Sequence, residues 1–132
     1  MSLNSAMNTA ATGLSAERFR MDVISVNIAN ANSTRSGTGP AGDPYRRREV
    51  VLKGGSEGPT IQAVLQDPRP FNKKLDPANP YHDEKGFVDV TNVEPITEMV
   101  DMLTASRSYE ANVAAFNTAR GMIKSALNIG KV

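Results

Sequence analysis

Hydrophobic residues recur with heptad spacing near the start of this 132-residue chain. The positions that step alternately by four and three are Leu3, Met7, Ala10, Leu14, Glu17, Met21, Ile24, Ile28 and Ala31. Eight of these nine residues are apolar, which is the a/d pattern by which one helix packs along another. Ser2, Asn4 and Ser5 are candidate N-terminal caps, and Asn30 with Asn32 is a candidate stop. The pattern predicts a long N-terminal helix.

A second apolar set lies on the opposite face of this helix. Its members are Ala16, Phe19, Val23 and Val26, which also step by three and four. A helix in a simple pair keeps that outer face polar, so apolar residues on both faces indicate more than one neighbour. In a chain of this size we expect those neighbours to come from other molecules.

The end of the chain repeats the heptad design. The stepped positions are Met99, Met102, Ser106, Tyr109, Val113, Phe116, Arg120, Ile123 and Leu127, of which seven are apolar. The stripe is widened by Val100, Leu103, Ala115, Ala119, Met122, Ala126 and Ile129. Thr91 and Glu94 have capping-box spacing, Pro95 suits a first helical turn, and Gly130 can end a helix. A second long helix is predicted here.

The middle of the chain cannot be one helix, because seven of the eight prolines lie between residues 40 and 80. Arg48–Lys53 and Thr60–Gln66 are rich in β-branched residues and flank the glycine-rich stretch 54–59, which predicts a β-hairpin. Residues 67–86 are predicted to form an extended loop, and Phe87 to Val90 a further strand. We therefore predict a mainly α fold with a small β region, in which the terminal helices pair as an antiparallel coiled coil.

Three segments follow from this division. They are an N-terminal heptad helix at 1–34, a middle segment of β-hairpin and extended loops at 35–91, and a C-terminal heptad helix at 92–132. The two helices together are expected to form one helical domain. Extra apolar surface on both helices favours an assembly protein over a self-contained domain, because large exposed apolar patches on a monomer serve interactions or promote aggregation.

Composition excludes several classes of function. The 15 basic and 14 acidic residues nearly cancel, which argues against a nucleic-acid binder or a polybasic membrane anchor. The absence of cysteine excludes disulfides and thiolate metal sites. No stretch reaches the roughly 20 apolar residues of a membrane span. The N-terminus lacks the pattern of a secretory signal peptide, so a dedicated exporter is expected if the protein leaves the cytoplasm.

Candidate chemical motifs have simpler explanations. Residues 37–42 match G-x-G-x-x-G, but a helix precedes them and Asp43 with Pro44 follows, so a flexible loop is the better interpretation. The run Arg46, Arg47 and Arg48 is interpreted as a solvated strand edge, with docking to an acidic neighbour as an alternative. His82, the single histidine, is interpreted as a surface-loop residue. We expect no catalytic residues, no cofactor and no metal.

Several motifs resemble those of a known family. The stretch from Ser25 to Thr34, SVNIANANST, is similar to the signature that closes the N-terminal helix of bacterial flagellar rod, hook and hook-associated proteins. Residues 45–51 (YRRREVV), 98–102 (EMVDM) and 105–113 (ASRSYEANV) resemble the smallest members of that family, the proximal rod proteins. The resemblance covers nearly the whole chain, with its motifs in the expected order.

The resemblance implies a structural subunit of the flagellar basal-body rod that takes part in motility and is not an enzyme. It implies export through the flagellar type III apparatus, assembly in the periplasm with itself and with other proximal and distal rod proteins, and contacts with the basal-body base. No nucleic acid is an expected partner. Before assembly, the helical ends are expected to be poorly ordered.

The residues expected to form the assembly interface come from both helices. They are Leu14, Phe19, Met21, Val23, Ile24, Asn27, Ile28, Asn30, Met99, Met102, Leu103, Tyr109, Val113, Phe116, Ile123 and Leu127. The rival interpretation is a cytoplasmic adaptor or DNA-associated helical protein that uses Arg46 to Arg48, for which salt-dependent nucleic-acid binding is diagnostic. An enzyme is a more distant alternative, since it requires a pocket with converging titratable groups.

Overall fold

Two long helices enclose a small β region in the computed structural model, which describes residues 2–131. Helix α1 spans Leu3–Ala29 and helix α2 spans Pro95–Ile129. The strands between them are β1 (Arg48–Lys53), β2 (Thr60–Gln66), β3 (Asn72–Leu75) and β4 (Phe87–Val90). This architecture confirms the predicted fold class.

The helix ends follow the local sequence with one exception. The Ser2 side chain accepts a hydrogen bond from the Ser5 N–H, and Asn30 is the C-terminal cap of α1. The capping-box prediction was wrong, because Glu94 is itself the N-cap of α2 and makes no capping hydrogen bond with its side chain. The Thr91 hydroxyl accepts instead from the Val93 N–H, at 3.2 Å. Thr91 therefore belongs to the turn that leads into α2.

The helices run antiparallel, and small or polar residues lie where they meet. Asn27 is hydrogen bonded to Glu98, and Gly13 lies against the side chain of Asn112, fourteen residues earlier on α1 and fourteen residues later on α2. A Cβ on Gly13 would meet Asn112 Nδ2 at 2.8 Å, so glycine permits this close approach.

The seam between the helices is displaced by one residue from much of the predicted heptad. On α2 the residues that face α1 or are buried are Glu98, Ala105, Asn112 and Ala119, in place of Met99, Ser106, Val113 and Arg120. On α1 they include Gly13 and Asn27, in place of Leu14 and Ile28. The heptad rule follows large apolar residues, whereas close helix packing here selects small ones.

The β region consists of two antiparallel pairs. Strands β1 and β2 form the predicted hairpin, with an irregularity between Val51 and Leu52. Strands β3 and β4 form a second pair, and Thr34 bridges to Val90 on β4. The prediction of an extended loop over residues 67–86 was therefore wrong at β3. The sequence of β3 lacks an alternating apolar pattern, so its pairing depends on β4 and not on its own composition.

The hairpin packs on the outer face of α1. The Thr12 hydroxyl donates to the Glu57 carbonyl at 3.0 Å, and Gly58, with a φ of +108°, lies against Thr9 and Thr12. Ala16, which was assigned to the outer face, is only 2% exposed. The expectation that only other molecules cover this face was thus wrong in part, because the chain's own hairpin covers some of it.

Across residues 2–131, neither long helix combines the length and the apolar character needed to cross a membrane.

Candidate functional site

A buried polar cluster joins the β region to both helices, and we call it the polar junction. It is formed by Asn27 at the end of α1, Arg47 just before β1, Asp67 just after β2, Asn92 before α2 and Glu98 in the first turns of α2. All five are buried, and Glu98 is 0% exposed. Buried charges are tolerated only when they are paired and hydrogen bonded, so each contact here matters.

Arg47 is the cation of the polar junction. Its Nε donates to Glu98, one Nη donates to Glu49, and the other donates to Asp101 at 3.2 Å. The Asp67 carboxylate lies 3.5 Å from the guanidinium. Burial acts to lower the pKa of Arg47, but the hydrogen bonds and charges of Glu98 and Glu49 raise it above its ordinary value. Arg47 is therefore charged under all physiological conditions.

Asn27 links three elements through one side-chain amide. Its Nδ2 donates to Glu98 at 3.0 Å and to the Arg48 carbonyl at 2.9 Å. Its Oδ1 accepts from the Arg48 N–H and from the Tyr45 hydroxyl, at 3.1 and 2.7 Å. Burial, with a smaller effect from the Glu98 charge, raises the pKa of Tyr45. The Asn27 side chain therefore fixes α2 and the start of β1 relative to the end of α1.

The arginine run does not form a basic patch. The interpretation as a solvated strand edge was wrong for Arg47, which is buried among carboxylates. The Arg46 guanidinium lies 4.2 Å from the centroid of the Phe71 ring, and that of Arg48 lies 5.6 Å from the centroid of the Tyr45 ring. Each arginine thus has a partner within the chain. The polar junction can hold three elements together.

The other candidate motifs have structural roles. The segment 37–42 includes a short 3-10 turn and is braced by Arg35, which donates to the carbonyls of Gly37 and Gly39 and pairs with Asp43 and Asp89. His82 is exposed in the loop between β3 and β4, as predicted. Among residues 2–131, no group of three or more acidic or histidine side chains is placed to hold a metal ion.

Large apolar side chains point away from the chain along one face of α2, which we call the outer α2 face. It consists of Ile96, Val100, Leu103, Met122 and Ile129, with helical spacing that places them on one side. All five are exposed, and Ile96 is 79% exposed. By contrast, four of the seven buried hydrophobic residues are alanines. The chain therefore leaves much of its apolar surface uncovered.

The sixteen residues predicted for the assembly interface differ in exposure. Ile24 and Asn27 are buried within the chain. Ten are half-buried, namely Leu14, Met21, Val23, Ile28, Asn30, Met102, Tyr109, Val113, Phe116 and Ile123. The four that are exposed are Phe19, Met99, Leu103 and Leu127. Their contacts with neighbouring subunits stay a prediction.

Sequence reasoning missed the polar junction and part of the outer α2 face. Glu98 interrupts an apolar stripe three residues after Pro95, and an acidic residue at such a position signals either a helix N-terminus or a buried ion pair. Only the arrangement of β1 against both helices identifies Arg47 as its partner. Ile96 was missed because the predicted heptad began at Met99.

Comparison with known proteins identifies the family. A model described as flagella basal body rod protein matches residues 7–35, and one described as flagellar basal body rod FlgEFG protein C-terminal matches residues 84–129. The flagellar basal-body rod protein FlgC of Borreliella burgdorferi is 39% identical, with 98% of each chain covered. The FlgC proteins of Bacillus subtilis and Escherichia coli O157:H7 are 37% and 36% identical, with at least 96% of each chain covered. This chain belongs to the flagellar basal-body rod protein family and is of the FlgC type.

Proposed function

We propose that this chain, a non-enzymatic structural subunit of the flagellar basal-body rod, is built into the rod by burying the outer α2 face against neighbouring subunits. The observation that carries the proposal is the distribution of side-chain size. Alanine and glycine lie between the helices, whereas Ile96, Val100 and Leu103 face outward. This arrangement leaves the large apolar side chains available for contacts with other molecules.

Energetics supports this use of the outer face. Burying one large aliphatic side chain contributes roughly 1.5–3 kcal/mol, and burying an alanine contributes far less. The contact between α1 and α2 is thus weak for its length, while the outer α2 face carries the larger stabilisation. We expect the helical ends to become fully ordered only when neighbouring subunits cover them.

The proposed partners are further copies of this chain and other proximal and distal rod proteins in a helical array, together with the basal-body base. Contacts that pair different surfaces and do not close on themselves produce a shaft of this kind. The proposed location is the periplasmic rod, reached by export through the flagellar type III apparatus. The division into units at 1–34, 35–91 and 92–132 is part of this proposal.

The rival function, a nucleic-acid-associated module, finds less support. It requires Arg46 to Arg48 to face an anionic backbone. Arg47 is instead buried against Glu98, and Arg46 donates to the carbonyls of Asp67 and Arg69. A test at low ionic strength distinguishes the two, since counterion release makes nucleic-acid binding strongest there.

Deletion of the coding region in the source bacterium tests the proposal. We expect loss of motility and basal bodies without a complete rod, both restored by the unaltered gene supplied in trans. The supplied subunit is expected to co-purify with isolated basal bodies. Normal motility with an intact rod in the deletion strain would overturn the proposed function.

A further inference from the structure

An open apolar cleft lies between α1 and the hairpin. Phe19, Val23 and Val26 of α1 line one wall, and Val64 of β2 and Tyr45 line the other. Its volume is about 330 Å³. Since a cavity of about 150 Å³ accommodates a benzene-sized group, this cleft has room for the apolar side chains of an inserted helix. Val26 at its wall is 44% exposed, so the chain itself does not fill the space.

The end of α2 is an exposed helix that no other part of the described chain covers, because it extends beyond the start of α1. The pairs Asn27–Glu98 and Gly13–Asn112 fix the register of the two helices. In this register Leu3, the first residue of α1, is level with Met122 along the helix axis. The last turns of α2, Ile123–Ile129, therefore extend past the first described turn of α1. We call these turns the α2 overhang. Leu127 lies at the edge of the seam, one residue beyond the positions that face α1, and it is 64% exposed.

Charge favours contact between these two features. The chain has no acidic residue after Glu110, and Lys124 is exposed on the α2 overhang, close to Leu127 on the helix surface. Asp22 lines the cleft on α1, is exposed, and makes no ion pair among residues 2–131. Arg48 lies on the other rim, where it is turned over the Tyr45 ring. A helix that presents Leu127 to the cleft can thus place a cation beside Asp22.

We propose that the α2 overhang of a second copy of this chain docks in the cleft, with Leu127 seated between Phe19 and Val23 and Lys124 beside Asp22. This inference rests on the proposed function and names one contact within it. Within one chain, Asp22 is level with Leu103 along the helix axis. The docked copy places its Lys124 at this level, and Lys124 follows Leu103 by twenty-one residues on α2. At a rise of 1.5 Å per residue, the second copy is displaced by about 30 Å along the helix axis.

The contact is heterologous, because it joins two different surfaces of the same molecule. Repetition of such a contact adds subunits in one direction and leaves a cleft free at one end and an overhang free at the other. It therefore gives a polar shaft without a symmetric dimer. The outer α2 face takes no part in this contact, which leaves that face available for lateral neighbours.

The chain contains no cysteine, so introduced cysteines report this contact without background. The experiment co-expresses two differently tagged copies in the deletion strain, one with Phe19→Cys and one with Leu127→Cys, and oxidises the isolated basal bodies. A disulfide forms only when the Cα atoms approach within about 7 Å. We expect a cross-linked dimer that carries both tags. Lys74→Cys, on an exposed strand of the other sheet, replaces Phe19→Cys in the control and is expected to give none.

Charge reversal provides an independent readout in the same cysteine background. Asp22→Lys and Lys124→Asp are each expected to lower the cross-linking yield roughly two- to fivefold, as for a partly exposed ion pair, and their combination is expected to restore it.

Absence of a two-tag dimer in motile cells would overturn the inference while leaving the proposed function intact. Cross-linking of Phe19→Cys to a different rod protein only would also overturn it. Non-motile cells without rods from the unaltered gene would instead count against the proposed function.

Discussion

Arg47 donates a hydrogen bond from its Nε to Glu98, a carboxylate with no exposed surface, and this pair joins the β region to α2. Three further carboxylates, of Glu49, Asp67 and Asp101, lie around the same guanidinium. Desolvation makes such a buried pair costly, and its strength depends on every lone pair being satisfied. The Asn27 amide supplies the remaining donor to Glu98. The polar junction thus fixes the position of the hairpin relative to the helices more than it adds stability.

Removal of one charge of this pair is expected to destabilise the subunit strongly. Glu98→Gln leaves Arg47 buried beside a neutral amide, and breaking one partner of a buried pair costs roughly 3–5 kcal/mol. The double variant Arg47→Met with Glu98→Gln is expected to recover part of that loss. Glu94→Gln is the control, because Glu94 is exposed at the helix cap. The measurement is urea unfolding followed by circular dichroism; equal stabilities of Glu98→Gln and Glu94→Gln would contradict the role of the pair.

The hairpin's position on α1 depends on Gly58. Its φ of +108° disfavours any side chain, and a Cβ there would meet the Thr12 hydroxyl. Gly58→Ala is therefore expected to lower the free energy of unfolding by roughly 1–3 kcal/mol, the range for backbone strain at one residue. Gly54→Ala is the matched control in the same turn, since a Cβ at Gly54 meets nothing within 4 Å. Thermal unfolding of both variants decides the point, and an unaffected Gly58→Ala would show that the turn does not pack on α1 in solution.

Stability is expected to fall in acid through Asp89 and Asp67. The Lys73 hydrogen bond, followed by that of Arg35, holds the pKa of Asp89 below its ordinary value, and Arg69 does the same for the pKa of Asp67. A carboxylate whose pKa is lower in the folded state stabilises that state above its unfolded pKa of about 3.9. This stabilisation is lost as the pH falls through the folded value.

Asp89→Asn tests this dependence. The variant is expected to be less stable than the natural chain at pH 7, and the difference is expected to shrink between pH 4 and lower values. Asp22→Asn serves as the control, because the Asp22 carboxylate makes no ion pair among residues 2–131. The measurement is chemical unfolding across the pH range. A stability difference for Asp89→Asn that is constant with pH would contradict the assignment.

Charges in the cleft are expected to block rod formation. Phe19→Asp and Val23→Asp place a carboxylate on the apolar wall of α1, where a neighbouring subunit is proposed to dock. The level of soluble subunit is expected to stay similar for Phe19→Asp, because Phe19 is exposed. Val23 is half-buried beneath the hairpin, so its variant also reports packing within the chain. Complementation of the deletion strain, with counts of rod-bearing basal bodies, gives the result; normal assembly of both variants would show that this face has no neighbour.

The sequence was sufficient to predict the two helices and the hairpin, but it did not predict which of their faces are buried within the chain. Ser2, Pro95 and Gly130 identified helix ends because capping depends on local chemistry. The seam was misplaced because Gly13 and Ala105 gain their importance only from the closeness of the other helix. The pairing of Arg47 with Glu98, fifty-one residues apart, depends on tertiary structure that no local pattern encodes. The cover that the hairpin gives to α1 was missed for the same reason.

Burial of the outer α2 face against neighbouring subunits is tested by Leu103→Asp. Leu103 is exposed in the subunit, so the charge is expected to leave the folding of the subunit unchanged, as judged by circular dichroism. Arg120→Asp is the control, because it places a carboxylate at an exposed position about 100° around α2 from Leu103, off this face. When each variant replaces the natural gene, we expect motile cells with complete rods for Arg120→Asp, and non-motile cells without rods for Leu103→Asp. Complete rods that contain Leu103→Asp at normal levels would contradict it.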